Sequence, residues 1–200
     1  MTHRAKFLYL VKQQFTTAWY FLIRANNQKV KSLKKITAII VNWNDKDVIG
    51  ECIQSLLNQD RTKIDIIVSD NGSGDGSVDS IRRLFPSIQI IENGKNLGFG
   101  SAVNRGLAAA KGDYLIFLNS DLMLDSKCIG EMARFLDYNS SIGGAIPKIL
   151  HVDQRDTINS LGVLINYTGI AYPNLLGQKD PGQIEPFESA CGGIFMLRRE

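Results

Sequence analysis

Residues 36–70 read ITAIIVNWNDKDVIGECIQSLLNQDRTKIDIIVSD, and the alternation inside this stretch decides the fold. Ile36–Asn42 (ITAIIVN) is a continuous run rich in β-branched residues, as in a strand covered on both faces. Asp47–Gln59 then places Ile49, Cys52, Ile53, Leu56 and Leu57 on one helical face. Ile64–Asp70 (IDIIVSD) repeats the buried-strand pattern. A strand, a helix and an equally apolar strand predict a parallel pair joined by a right-handed crossover.

Working outward, Asn71–Gly76 is a turn, Ser77–Phe85 a short helix stopped by Pro86, and Ile88–Glu92 a third strand. Gly98–Lys111 is an Ala-rich helix ended by Gly112, Tyr114–Asn119 (YLIFLN) a fourth strand, and Ser126–Tyr138 a further helix. After Gly143 the pattern changes. Ala145–His151, Gly162–Tyr167 and Cys191–Arg198 read as strands of mixed or antiparallel pairing, with a Gly/Pro/Asn-rich stretch from Tyr172 to Pro186 between the last two. The expected fold is α/β, a Rossmann-type, mostly parallel sheet flanked by helices in one body over residues 36–200.

Residues 1–35 form a separate arm. They carry eight Lys/Arg (Arg4, Lys6, Lys12, Arg24, Lys29, Lys31, Lys34, Lys35) and no Asp or Glu. Of 23 Lys/Arg in the chain, 15 therefore remain after residue 35 against all 20 acids, so the net +3 divides into a basic arm and a body at −5. Phe7, Leu10, Val11, Phe15, Ala18, Trp19 and Leu22 recur at helical spacing, which predicts a basic amphipathic helix. Such a helix suits an anionic membrane surface. Packing on the body or on a partner chain is the other reading, and a nucleic-acid tail a weaker one, because the aromatic residues belong to the apolar face.

Three cysteines, Cys52, Cys128 and Cys191, stand far apart in apolar surroundings without a CxxC or Cys/His cluster, so free thiols in a reducing compartment are expected rather than a zinc site. The longest uncharged run near the start, Gln13–Ile23, contains Gln and Thr and is followed by no small-residue cleavage site, unlike a signal peptide. No apolar stretch of ~20 residues is present to cross a bilayer. The expected location is cytoplasmic, peripheral to the inner face of the membrane if the arm binds it.

Ligands of open parallel sheets sit beyond the carboxyl ends of the strands. Here those ends are polar: Asn42-Trp43-Asn44-Asp45, Asp70-Asn71-Gly72-Ser73, Asn93-Gly94-Lys95-Asn96-Leu97-Gly98-Phe99-Gly100 and Asn119-Ser120-Asp121. Each cluster alone also reads as a turn. Asp70 stands out because it directly follows an apolar run, where a carboxylate can accept from a base N–H or a hydroxyl. Asp121 is the candidate metal ligand, able to hold a hard divalent cation against a diphosphate; the alternative, a carboxylate at the next helix N-terminus, is better filled by Asp125. Gly98-x-Gly100 lacks the third glycine of the dinucleotide fingerprint, and there is no GxxxxGK[ST] loop. Only His3 and His151 are available for hydrolase chemistry, and no nucleophile elbow accompanies them.

With these clusters in place, residues 36–199 resemble the family 2 glycosyltransferases of the GT-A fold, in particular the bacterial rhamnosyltransferase-like branch. The likeness is carried by ITAIIVNWNDKDVIGECIQSLLNQ, IIVSDNGSGDGSVDSI, NLGFGSAVNRGLAAAKGDYLIFLNSDLML and the terminal SACGGIFMLRR, in that order and spacing. The resemblance implies an inverting transfer of a sugar from a nucleotide-diphosphate donor, dTDP-rhamnose among the candidates. The acceptor would be a hydroxyl of a cell-surface polysaccharide or lipid-linked saccharide, and the cation Mg or Mn.

It also implies roles for particular residues. Asn42, Trp43 and Asn44 lie in the loop that packs on the base, Asp70 bonds the base with Asn71 beside it, and Asn96, Gly98, Phe99 and Asn104 line the nucleotide pocket. Asn119-Ser120-Asp121 resembles the DxD-type motif with Asp121 as metal ligand and Asn in the first position. Gly192 and Gly193 resemble the small-residue loop under the donor sugar and acceptor. The family's general base, one of an acidic pair in a later segment, is expected beyond Glu200. The rival readings are a donor-binding or partner-binding fragment without turnover, and a nucleotidyltransferase. The latter would want a basic Gly-rich loop after the first strand, which Asn42–Asp47 does not supply.

Overall fold

The computed structural model describes residues 9–12, 34–60, 63–182 and 193–199. Its strands are β1 (Tyr9–Lys12), β2 (Ile36–Asn42), β3 (Ile64–Asp70), β4 (Gln89–Glu92), β5 (Tyr114–Asn119), β6 (Leu122–Leu124), β7 (Gly144–Ala145), β8 (Lys148–His151), β9 (Ile158–Ser160), β10 (Val163–Ile165), β11 (Ala171–Pro173) and β12 (Ile194–Arg198). The helices are α1 (Ile49–Leu57), α2 (Ser77–Leu84), α3 (Phe99–Ala109) and α4 (Cys128–Tyr138).

The central sheet has the order β4-β3-β2-β5-β12-β7. β2 pairs in parallel with both β3 and β5, and β3 with β4, while β12 runs antiparallel to β5 and β7 antiparallel to β12. The period-two alternation within each buried strand separates two cores. Ala38 and Ile40 of β2 with Ile116 and Leu118 of β5 pack under α1, α2 and α4 through Ile53, Leu56, Ile81, Ile129 and Met132. Ile39, Ile67, Leu115 and Phe117 face the other way, onto Val103 and Leu107 of α3. The close seat of α3 depends on Gly106, since a Cβ there would lie 2.4 Å from Cγ2 of Ile39.

The chain leaves β2, adds β3 and β4 on one side, then returns through α3 to place β5 on the other side of β2. Chain direction around the sheet therefore reverses between β2 and β5, a switch point at which α/β sheets open a crevice. Register brings the strand ends level: Asn42 lies opposite Asp70, Asp70 opposite Glu92, and Val41 opposite Asn119. At the opposite edge Tyr114, fully buried, donates its hydroxyl to Asp137 at 2.7 Å and accepts from Lys34 at 3.1 Å and Arg198 at 3.3 Å. That cluster ties β2's approach and β12's end to α4.

A second sheet, β6-β1-β8-β9, and a hairpin, β10-β11, stand beside the first sheet. Two expectations are corrected here. The helix predicted across the arm does not extend over Tyr9–Lys12, which pair as a strand in parallel with β6 and antiparallel with β8; the remainder of that helix, up to residue 33, lies outside the described residues. The long strand predicted for Ala145–His151 is two strands in different sheets, because Pro147 has no N–H to continue a ladder. The strands β6, β9 and β11, of three residues each, are too short for their periodicity to be read.

Candidate functional site

The site is built from four loops at the carboxyl edge of the parallel strands. Its floor is polar and buried. Asn42, Asp70, Asn71, Ser77 and Ser120 are all nearly inaccessible. Asn42 Nδ2 donates to Asp70 Oδ1 at 2.7 Å, to Ser77 Oγ at 2.9 Å and to Ser73 Oγ at 3.1 Å. Asp70 also accepts the Ser73 hydroxyl on Oδ1 at 2.6 Å, and the backbone amides of Gly72 and Ser73 on Oδ2, both at 3.0 Å. A carboxylate has about four lone-pair sites, and four donors fill them. Asp70 therefore fixes its own loop, and a base N–H would reach it only by replacing one of these donors.

The same economy ties the neighbouring loops together. Asn44 adopts φ 57°, a conformation that Asn tolerates better than most residues. Its N–H donates to Ser73 Oγ at 2.9 Å and its Oδ1 accepts from the amide of Gly74 at 2.8 Å. Asn71 Oδ1 accepts from Asn93 Nδ2 at 3.1 Å, and Asn71 Nδ2 donates to the carbonyl of Gly98 at 3.3 Å. Gly72, at φ +73°, lets the loop after β3 touch the loop after β4, for a Cβ there would lie 2.8 Å from Lys95 Cα. Loops after β2, β3 and β4 thus behave as one surface.

Above this floor stands an aromatic rim: Trp43 is 48% exposed and Phe99 41% exposed. Large aromatic faces held open at a rigid rim suit stacking on a planar base. Asn96 and Gly98 are also exposed on this rim, with Asn96 Oδ1 accepting from the amide of Gly98 at 2.9 Å. Asn104 is further off, exposed on the second turn of α3 as the helix leaves the edge.

At the switch point, Asp45 and Ser120 meet: the Ser120 hydroxyl donates to Asp45 Oδ2 at 2.5 Å. Asp121 follows, leading directly into β6 and the second sheet. Burial lifts the Asp121 carboxyl above its ordinary value; an amide hydrogen bond opposes this, and the nearby negative charge of Asp45 adds to it. Asn119 receives Gly193 at its side, the Asn119 amide donating to the Gly193 carbonyl at 3.1 Å. The predicted residue Gly192 lies outside the described residues, as do Cys191 and Glu200. Cys52 and Cys128 are buried free thiols as expected, each held up in pKa chiefly by burial.

Three buried acceptor atoms at this one edge, Asn42 Oδ1, Asn93 Oδ1 and Asp121 Oδ1, have no hydrogen-bond partner among the described residues. Buried polar atoms are nearly always satisfied, so a concentration of vacant acceptors marks where a cation or the donors of a ligand would complete the structure. Among the described residues, no group of three or more His, Cys, Asp or Glu could hold a metal, and no helix is long and apolar enough to cross a membrane. Sequence reasoning took Ser77 only as the start of a helix, and Asp45, Ser73 and Asn93 only as members of the strand-end clusters. Ser73 and Ser77 follow Asp70 at the spacing of an Asx turn and a helix start, a local signal that was available.

Residues 37–200 match the sequence family described as Glycosyl transferase family 2. Over 113 residues the chain is 34% identical to a poly(ribitol-phosphate) beta-glucosyltransferase of Bacillus spizizenii, a match covering 54% of this chain and 18% of the relative. Over 90 residues it is 37% identical to a UDP-Glc:alpha-D-GlcNAc-diphosphoundecaprenol beta-1,3-glucosyltransferase of Escherichia coli, covering 44% of this chain and 36% of the relative. The matched region thus spans well under half the length of these curated relatives. Among solved structures, a mannosyltransferase from Pyrobaculum calidifontis in complex with GDP-Man and Mn2+ shares the fold, with a TM-score of 0.51 at 18% identity over 64% of this chain and 41% of that one.

Proposed function

Because the chain belongs to glycosyl transferase family 2, we propose that its carboxyl-edge site binds a nucleotide-diphosphate sugar. The bound sugar is passed, with inversion, to a hydroxyl of a polysaccharide or lipid-linked acceptor. The observation that carries this reading is the vacant, buried Oδ1 of Asp121 at the switch point of the sheet, beside a second carboxylate. The residues fit a divalent cation such as Mg or Mn: hard oxygen donors, one of them a buried acceptor without a partner among the described residues. Such an ion, when bound, neutralises charge that develops on the departing nucleotide diphosphate.

The chain's own residues supply the rest. Trp43 and Phe99 flank the base, and Asn42, Asp70 and Asn71 hold the loops rigid beneath it. The rigid floor spares the ordering cost that a mobile loop would meet on binding. Asn119 and Gly193 line the side toward the sugar. The base that takes the acceptor's proton is assigned to the acidic pair that follows these segments in the family pattern. The basic residues of the arm, at ~1 kcal/mol each near an anionic surface, would favour a membrane-borne acceptor.

Calorimetry with UDP, GDP and dTDP, with and without Mn2+, tests the donor site, using Asp121→Ala as the control. Binding that requires Mn2+ and is lost in the variant supports the reading; no nucleotide binding in any arm rejects it. Incubation with UDP-glucose, GDP-mannose and dTDP-rhamnose then separates transferase from donor-binding module, by release of the nucleoside diphosphate in the presence of acceptor. The dTDP-rhamnose arm tests the branch suggested by the sequence.

A further inference from the structure

Asp45 belongs to the loop after β2, about seventy-five residues before Ser120, yet the Ser120 hydroxyl holds its carboxylate against the Asn119-Ser120-Asp121 segment. The backbone carbonyl of Asp45 receives the amides of Val48 and Ile49 at the entry to α1. The start of α1 therefore fixes the backbone of Asp45, and Ser120 fixes its side chain. The two loops lie on either side of the strand reversal between β2 and β5, where the crevice opens. The first position of the DxD-like motif is Asn119, so this segment brings only one carboxylate of its own, and Oδ1 of that carboxylate is buried without a partner.

We propose that Asp45 is the second anionic group of the cation site, delivered from the loop after β2 in place of the carboxylate missing at position 119. The proposal rests on the reading of Asp121 as a cation ligand. A small divalent cation that keeps several waters is typically held by one or two carboxylates together with substrate phosphates. Asp121 and Asp45 provide that pair from two loops, and Ser120 serves as the positioning residue that holds the Asp45 carboxylate against the segment carrying Asp121. The negative charge of Asp45 is felt at Asp121, and a bound cation would offset the repulsion between the two carboxylates.

The test is Mn2+ binding to the whole 200-residue chain, read by calorimetry and by the electron paramagnetic resonance of free Mn2+, first with the metal alone and then with UDP. Asp45→Asn is expected to weaken Mn2+ at least ~10-fold, and Ser120→Ala to weaken it less, in the range set by loss of an orienting partner. Adding Asn119→Asp to Asp45→Asn should restore most of the affinity, a rescue that a purely structural role of Asp45 would not show. Circular dichroism and thermal unfolding without metal confirm that each variant is folded; should Asp45→Asn fail to fold, Asp45→Ser and the Asn119→Asp single variant, expected to bind Mn2+ more tightly, replace it. If Asp121→Asn abolishes Mn2+ binding and Asp45→Asn leaves it unchanged, the proposal is overturned while the donor-site reading stands. If Asp121→Asn also binds Mn2+ like the parent chain, the cation site is not here and both fall.

Discussion

Asn42 and Asp70 end adjacent parallel strands in register, and a 2.7 Å hydrogen bond from Nδ2 of one to Oδ1 of the other closes the floor of the site. Both are buried, and Asp70 takes three further donors from the loop that follows it. Replacing Asp70 by Ala strands buried donors, which costs about 1–3 kcal/mol for each group left unsatisfied. Asp70→Ala should lower the urea midpoint by a clear margin and weaken nucleotide binding as the loops loosen. Unchanged stability would mean that water readily takes over these donors.

Gly72 is constrained twice, by its φ of +73° and by the approach of Lys95. Gly72→Ala should cost roughly 1–3 kcal/mol through overpacking and strain. It should weaken nucleotide binding more than a variant of equal instability placed in the far sheet. Thermal unfolding paired with nucleotide titration of both variants makes the comparison.

Lys148 and Asp180 form a buried ion pair, with side chains 5% and 12% exposed, and Lys148 Nζ also donates to the carbonyl of Gly182 at 2.6 Å. Lys148→Met leaves Asp180 buried and unpaired, a change of about 3–5 kcal/mol. The double variant Lys148→Met with Asp180→Leu should recover much of that loss. A double-mutant cycle by denaturant unfolding reads the difference directly.

The Asp121 carboxyl holds its proton to higher pH in the folded chain than its ordinary value of 3.8. Between those two values the folded state binds more protons than the unfolded one, so stability falls as pH rises through that window. Asp121→Asn should remove that fall, leaving the variant more stable relative to the parent at neutral pH than in acid. A cation needs the deprotonated carboxylate, so Mn2+ affinity should drop as pH is lowered through the same window. Urea unfolding and Mn2+ titration across a pH series check both signs.

Trp43 and Phe99 are exposed and contribute little to the core. Trp43→Ala and Phe99→Ala should each weaken nucleoside diphosphate binding by about tenfold, in line with ~1–3 kcal/mol for an aromatic stack on a base. Their unfolding midpoints should stay near that of the parent chain. A loss of stability in place of affinity would assign them to packing.

Much of this was legible along the chain. β2, β3 and β5 have the bounds their apolar runs indicate, because strands largely buried on both faces carry a near-continuous apolar signal. The Asn, Asp and Gly clusters at their ends were equally plain, and the switch-point rule sent them to one edge. The second sheet was legible only at β8: β6 and β9 are three residues long, and the apolar spacing around Tyr9–Lys12 fits a helix, whereas the strand there forms only by pairing with β6 and β8.

Local sequence determined the buried strands, their helical crossovers and the polar tips, since side-chain periodicity and turn chemistry act between near neighbours. Which tips would touch was left to the tertiary structure. Asp45 meets Ser120 because β5 returns to lie beside β2, and Asp70 is saturated because a serine and two amides curl back onto it. Hydrogen bonds and charge pairs depend on distances of a few ångströms between segments far apart in the chain, and only the folded backbone sets those distances.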